Sequence, residues 1–225
     1  MHVCLSAPSY LAAAGGGGIA FRAGSAVETS FTATTNPVIN GPAGLADGDL
    51  IVIGVAVGVL ISTPFMTNGF TLIHDLNDSG ADGGILAMYK IAAGETPPWT
   101  FTGLLSAPGA GIAGAEAYTG VHQTVPLSGT ATEVAPAAGT SHTCTAMTPG
   151  ESRCMVIGIF GCDPAAGQTG TAGSGWTERA DFVRSGDGHI FIEELLQTTA
   201  ASVAADFTSL NSDTYGCIQF ALAPV

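Results

Sequence analysis

The sequence predicts an all-β sandwich assembled from two similar halves, and three observations carry that prediction. Only 10% of the 225 residues are charged, and no run pairs Glu with Lys at helical spacing, so helices have little support. Segments rich in Thr, Val and Ile alternate instead with clusters of Gly, Pro, Asn and Asp, the pattern of many short strands joined by turns. The chain also states one text twice in the same order, at an offset of roughly 104 to 111 residues.

The repeat begins with "TSFTAT" (Thr29 to Thr34) and "TSHTCT" (Thr140 to Thr145). "IVIGVAVG" from Ile51 is answered by "MVIGIFGC" from Met155, and Gly69-Phe70-Thr71 by Gly175-Trp176-Thr177. "GGILAMYKIA" from Gly83 matches "GHIFIEELLQ" from Gly188, "WTFTG" from Trp99 matches "ADFTS" from Ala205, and "AGIAGAEAYTG" from Ala110 matches "YGCIQFALAPV" from Tyr215. Each pair is short, but their collinearity argues for duplication. The pseudo-repeats run over about 27–120 and 138–225, inside a single domain spanning 26–225.

Each half supplies five or six strands. Val27, Thr29, Phe31 and Ala33 alternate with Glu28, Ser30, Thr32 and Thr34, a half-buried strand. Leu50 to Val59 is apolar on both faces: Ile51, Ile53, Val55 and Val57 on one, and the smaller set Leu50, Val52, Gly54, Ala56 and Gly58 on the other. The large face is expected in the core, and the small face under a close cover. Further strands are expected near 69–75, 85–92, 98–103 and 110–118, then 140–146, 154–161, 175–183, 189–197, 203–208 and 215–222, with turns at "NDSGADGG", "PGAG", "TPGES" and "RSGDGH". Two packed sheets, each drawing strands from both halves, accommodate that number.

Residues 1–25 are expected to form an extended, Gly-rich arm. Gly15 to Gly18 form a bend, and Leu5, Tyr10, Leu11, Ile19 and Phe21 are apolar anchors. A solvated tail has no need of such anchors, so an assembly role against a neighbouring subunit is expected, with the small face at Gly54, Ala56 and Gly58 as a landing surface. No Lys or Arg precedes Arg22, which argues against a secretory signal.

The net charge of −13 disfavours nucleic acid and anionic membranes as partners. The five cysteines form no CxxC pair, and reduced, buried thiols in a cytoplasmically folded protein are expected. Asp75, Asn77, Ser79 and Gly80 imitate the opening of a calcium loop, but Leu86 stands where the bidentate Glu belongs, so a hairpin turn is the better account and no metal or cofactor is expected. Glu193 and Glu194 point to opposite faces of a strand and cannot act as a glycosidase pair, and nothing in the sequence raises the pKa of Glu116 or Asp206. The histidines match no catalytic spacing. The expectation is a protein that is not an enzyme.

"GDLIVIGVAV", the Gly-Phe-Thr and Gly-Trp-Thr strands, "AAGETPPWTFTG" and "AGAEAYTGV" together resemble the structural proteins of tailed phages, over about residues 40 to 225. The likeness is to the sandwich proteins that decorate or cement capsids, or that sit on tails. It implies a jelly-roll-like fold without catalytic residues and a homo-oligomer, a trimer in many cases. It also implies partners among the major capsid protein or other virion subunits, and a place on the outer capsid surface of the virion. The alternative is a tail-associated or carbohydrate- or receptor-binding module, which would display exposed aromatics; Trp99 and Trp176 are its candidates.

Overall fold

The computed structural model describes residues 18–62, 67–78, 83–94, 96–162, 168–184 and 188–225. The first half supplies β1 (Ala20–Phe21), β2 (Val27–Thr34), β3 (Val38–Ile39), β4 (Leu50–Val57), β5 (Thr71–Asp78), β6 (Gly83–Ile91), β7 (Trp99–Thr100) and β8 (Gly109–Thr119). The second supplies β9 (Thr132–Thr143), β10 (Cys154–Cys162), β11 (Gly170–Ala172), β12 (Thr177–Arg184), β13 (Gly188–Gln197) and β14 (Asp206–Leu222). The protein is an all-β sandwich of antiparallel strands, with no helix among the described residues.

The halves do not share sheets. β2-β8-β4-β6-β5 form one sheet, with β1 beside β2 on the same edge of β8, and β9-β14-β10-β13-β12 form the other, with β11 also paired to β14. The expectation that each half contributes to both sheets is therefore corrected: the sheets close within each half, and apart from a backbone bridge between Val121 and Pro224 the halves meet through side chains. Taken in chain order, the five principal strands of each half are arranged identically. A further likeness lies in β5 and β12, where the pairing is interrupted between Leu72 and His74 and again between Glu178 and Ala180. The extra residues, Ile73 and Arg179, occupy equivalent places.

Contacts between the sheets respect the same correspondence. β8 lies over β12 and β13, as β14 lies over β5 and β6; β4 meets β13 as β10 meets β6; and β4 meets its own counterpart β10. Exchanging the halves maps this pattern onto itself, which is an approximate two-fold relation.

The shared core mixes Leu50, Val52, Ala56, Ile85, Ile112 and Tyr118 of the first sheet with Ile157, Ile159, Ile190, Ile192, Ile218 and Phe220 of the second. So the small face of β4, not the large one, is the interior face. Gly54 shows why it must be small: a Cβ there would lie 2.9 Å from Ile159 Cγ2. Ile51, Ile53, Val55 and Val57 face the other way, beneath Ile39, Trp99, Phe101, Leu104 and Leu105. The second sheet has a matching outer layer of Phe160, Phe191, Phe207 and Tyr215. Gly54 and Ala56 are consequently occupied by the second half and offer no landing surface.

Candidate functional site

Two clusters of polar side chains lie inside this apolar framework, one outside the second sheet and one between the sheets. The first is centred on His189, which is fully buried. Its Nε2 is 2.6 Å from Asp181 Oδ1, on neighbouring β12, and its Nδ1 is 2.5 Å from the Tyr215 hydroxyl, on β14. The other Asp181 oxygen accepts the Gly170 N–H at 3.1 Å. Register brings these groups together, since Asp181 and Phe182 lie opposite Phe191 and Ile190 of the same strand as His189. Burial, with Cys162 beside it, pushes the Tyr215 phenol up.

His142 packs at 4.6 Å from the Tyr215 ring and 5.8 Å from Phe207, and burial pushes its pKa down. A cavity of about 130 Å³ opens above these rings, lined by Val134, Ala137, Ser141, His142, Tyr215 and Cys217. The arrangement links Asp181, whose side chain is 18% exposed, through His189 to Tyr215 in one line of hydrogen-bonding groups. Burial favours the protonated form of that phenol.

Cys217 at the cavity wall is disulfide-bonded to Cys144, with Cα atoms 5.6 Å apart. This corrects the expectation of reduced thiols throughout. Cys154 and Cys162 are buried and not disulfide-bonded, and Cys4 lies outside the described residues. Nothing in the spacing reveals the bond, because 73 residues separate its ends.

The second cluster sits between the sheets. Glu116 of β8 is fully buried and accepts a hydrogen bond from the Tyr118 hydroxyl at 2.8 Å. From the opposite sheet, Glu194 of β13 pairs with Arg179, the extra residue of β12. Phe21 of β1 covers the group: its ring centroid is 4.4 Å from the Arg179 guanidinium carbon and 5.8 Å from the Tyr118 ring. Burial pushes the Glu116 carboxyl up to about 8, with Glu194 raising it further and Tyr118 and Arg179 opposing. Three buried atoms, Glu116 Oε1, Arg179 Nε and Glu194 Oε2, have no hydrogen-bond partner among the described residues.

Glu193 points to the outer face, as alternation requires. It accepts the backbone N–H groups of Asp206 at 3.0 Å and Gly173 at 3.1 Å, yet burial still pushes it up to about 8. The expectation that nothing perturbs Glu116 is thus corrected. A signal was present: Glu116 is the lone acid on an alternation, Ile112, Gly114, Glu116, Tyr118, that otherwise faces the core.

The remaining candidates separate cleanly. Ile19 is buried in the chain's own core and Phe21 packs against it, so these two anchors are already covered within the molecule. Leu5, Tyr10 and Leu11, with Gly15 to Gly17 of the expected bend, lie outside the described residues. Trp99 is 5% exposed and packs edge-on to Phe70 at 5.1 Å, while Trp176 is half-buried, so neither ring is an open stacking platform. Asp75 and Asn77 stand on β5, where Asn77 grips the backbone of Ile61 through both its amide atoms; Ser79 and Gly80 lie outside the described residues. Among the described residues, no group of three or more His, Cys, Asp or Glu side chains is placed to hold a metal ion.

No family model matches the chain, and neither a curated protein nor a solved structure does.

Proposed function

We propose that the chain is a non-enzymatic structural protein of a tailed-phage virion, which decorates or cements the outer capsid surface through contacts with the major capsid protein or with other virion subunits. One observation supports this reading above the rest. The sandwich covers both faces of both sheets with its own residues, whereas the anchors Leu5, Tyr10 and Leu11 precede the first packed strand. An apolar segment ahead of a self-sufficient domain suits attachment to a neighbour.

Charge agrees with an exterior position. Arg22 is paired with Asp49, Arg179 with Glu194, Arg184 with the Phe31 carbonyl and Lys90 with the Asn68 carbonyl, so four of the five Lys and Arg side chains are engaged within the molecule, and only Arg153 adds to them against eighteen acids. A disulfide is also at home on a virion surface, where conditions are oxidising. The tail-associated or sugar-binding alternative draws less support, since it would use Trp99 or Trp176 as an exposed ring.

The test is co-sedimentation of the purified chain with assembled particles. The full chain and a variant lacking residues 1–17 are compared, a boundary that spares Ile19 and β1. The expected result is particle binding by the full chain and its loss in the variant, with thermal melting unchanged. Equal binding by both would remove the arm from the proposal, and no binding by either would remove the virion role.

A further inference from the structure

The Glu116–Tyr118–Arg179–Glu194 cluster has an internal control, because the approximate two-fold relation brings the same place round again at the other end of the core. Register makes the counterparts explicit. Glu116 and Tyr118 correspond to Phe220 and Leu222, Glu194 to Tyr89, and Arg179 to Ile73. Phe21, which lies opposite Tyr118, corresponds to Leu127, which bridges to Leu222. All five counterparts belong to the apolar core or pack on it. The same fold is therefore completed at one end by uncharged side chains, hydrocarbon apart from the Tyr89 hydroxyl, and at the other by two carboxyls, a guanidinium and a phenol.

Buried ion clusters of this kind contribute less than an apolar filling of similar shape. The fold has the apolar solution and uses it once. The polar end also leaves three buried atoms unpartnered, an arrangement that packing alone does not explain.

We propose that this cluster is a proton-controlled latch on the N-terminal strand β1: with Glu116 neutral, Phe21 closes over Arg179 and Tyr118, and loss of the Glu116 proton releases β1 from β8. β1 is suited to release, being two residues long and paired only to Tyr118 and Thr119. The groups facing Glu116 are Tyr118 on its own strand, Glu194 from β13 and Arg179 from β12; β1 itself brings only the uncharged Phe21. Arg22 and Asp49 pair with each other, and Asp49 falls on the outward phase of β4. With Arg179 already neutralised by Glu194, a second carboxylate has no cation of its own. Opening admits water to Glu116 and lets it ionise at the ordinary carboxyl range, so a rise in pH drives opening until the closed state ionises as well. The latch concerns β1 alone and stands independently of the virion role.

The experiment is amide hydrogen exchange of the full chain between pH 5 and 9, corrected for intrinsic rates. The reporter is the Arg22 N–H, which donates to the Ala117 carbonyl at 2.9 Å across the β1–β8 edge. The opening equilibrium is expected to rise about tenfold per pH unit up to about pH 8 and then to level off. Glu116→Gln, which keeps size and removes the charge, is expected to abolish the slope, as is Glu116→Phe, which installs the counterpart residue. Glu193→Gln, on the opposite face, is expected to leave it intact. A flat wild-type profile would overturn the proposal. So would a slope that survives both Glu116 substitutions, or one that disappears in Glu193→Gln.

Discussion

A carboxyl group carries more information in this protein than any other side chain, because most of the chain is small or apolar and each acid that enters the interior must be accommodated singly. Glu116 and Glu193 are both held near 8 by burial, against an ordinary value of 4.5. The folded state thus keeps protons that the unfolded chain sheds, and stability falls as pH rises from about 4.5 to about 8, then flattens. We expect the urea midpoint to drop across that window. For Glu116 the slope is up to about 1.4 kcal/mol per pH unit. Glu116→Gln should remove that share. Glu193→Gln should flatten the profile too, but at a cost of about 1–3 kcal/mol, because its amide NH2 would face a backbone N–H of Gly173 or Asp206. A midpoint that rises with pH in the wild type would contradict both assignments.

Strands were far more legible in the sequence than the direction their faces point. The period-two pattern located most of the principal strands; 206–208 and 215–222 both fall in β14, whose chain doubles back so that Phe207 packs on Tyr215 and Gln219 bonds to Ala205, while β9 begins well before the expected 140. The β4 error is instructive. Aligning Val-Ile-Gly at 52–54 with Val-Ile-Gly at 156–158 maximises identity, yet it pairs an interior residue with an exterior one. The register instead sets Leu50 against Met155, one residue away, since a one-residue slip reverses every side chain. Sequence identity follows residue type; packing follows phase. The disulfide and the Glu116 cluster stayed hidden for a related reason, as both depend on contacts between distant strands. Gly54→Val should lower stability by about 1–3 kcal/mol or more, because the added carbons meet Ile159 and Ile190. Gly175→Ala, at a turn with nothing near its Cβ but φ of +87°, should cost about 1 kcal/mol from backbone strain alone. Thermal melting checks both, and a neutral Gly54→Val would mean that the sheets can separate at β4. Reduction of Cys144–Cys217, which closes a long loop within the second half, should cost about 2–4 kcal/mol. Calorimetry with and without reductant measures it.

Neither half is complete as a molecule. Each sheet covers its outer face with its own loops and leaves its inner face to the other, so removing one half would expose the row from Leu50 to Ile112 or that from Ile157 to Phe220. The full chain should melt in one cooperative transition. A fragment ending near residue 125 should precipitate or pair with itself, and a monomeric fragment with its own sharp transition would show two independent units instead.

That incompleteness bears on what joining the halves made available. Two identical chains meeting about a two-fold axis must carry every interior substitution in duplicate, so a charge placed between them appears at both ends. Once the copies share one chain, they can mutate separately. The end around Phe220 and Leu222 can remain hydrocarbon and hold the sandwich shut, while the end around Glu116 is free to acquire an ionisable group. Duplication followed by fusion thus gives a lineage something a symmetric pair lacks: a spare interior site in which chemistry can be tried without giving up the one that secures the fold.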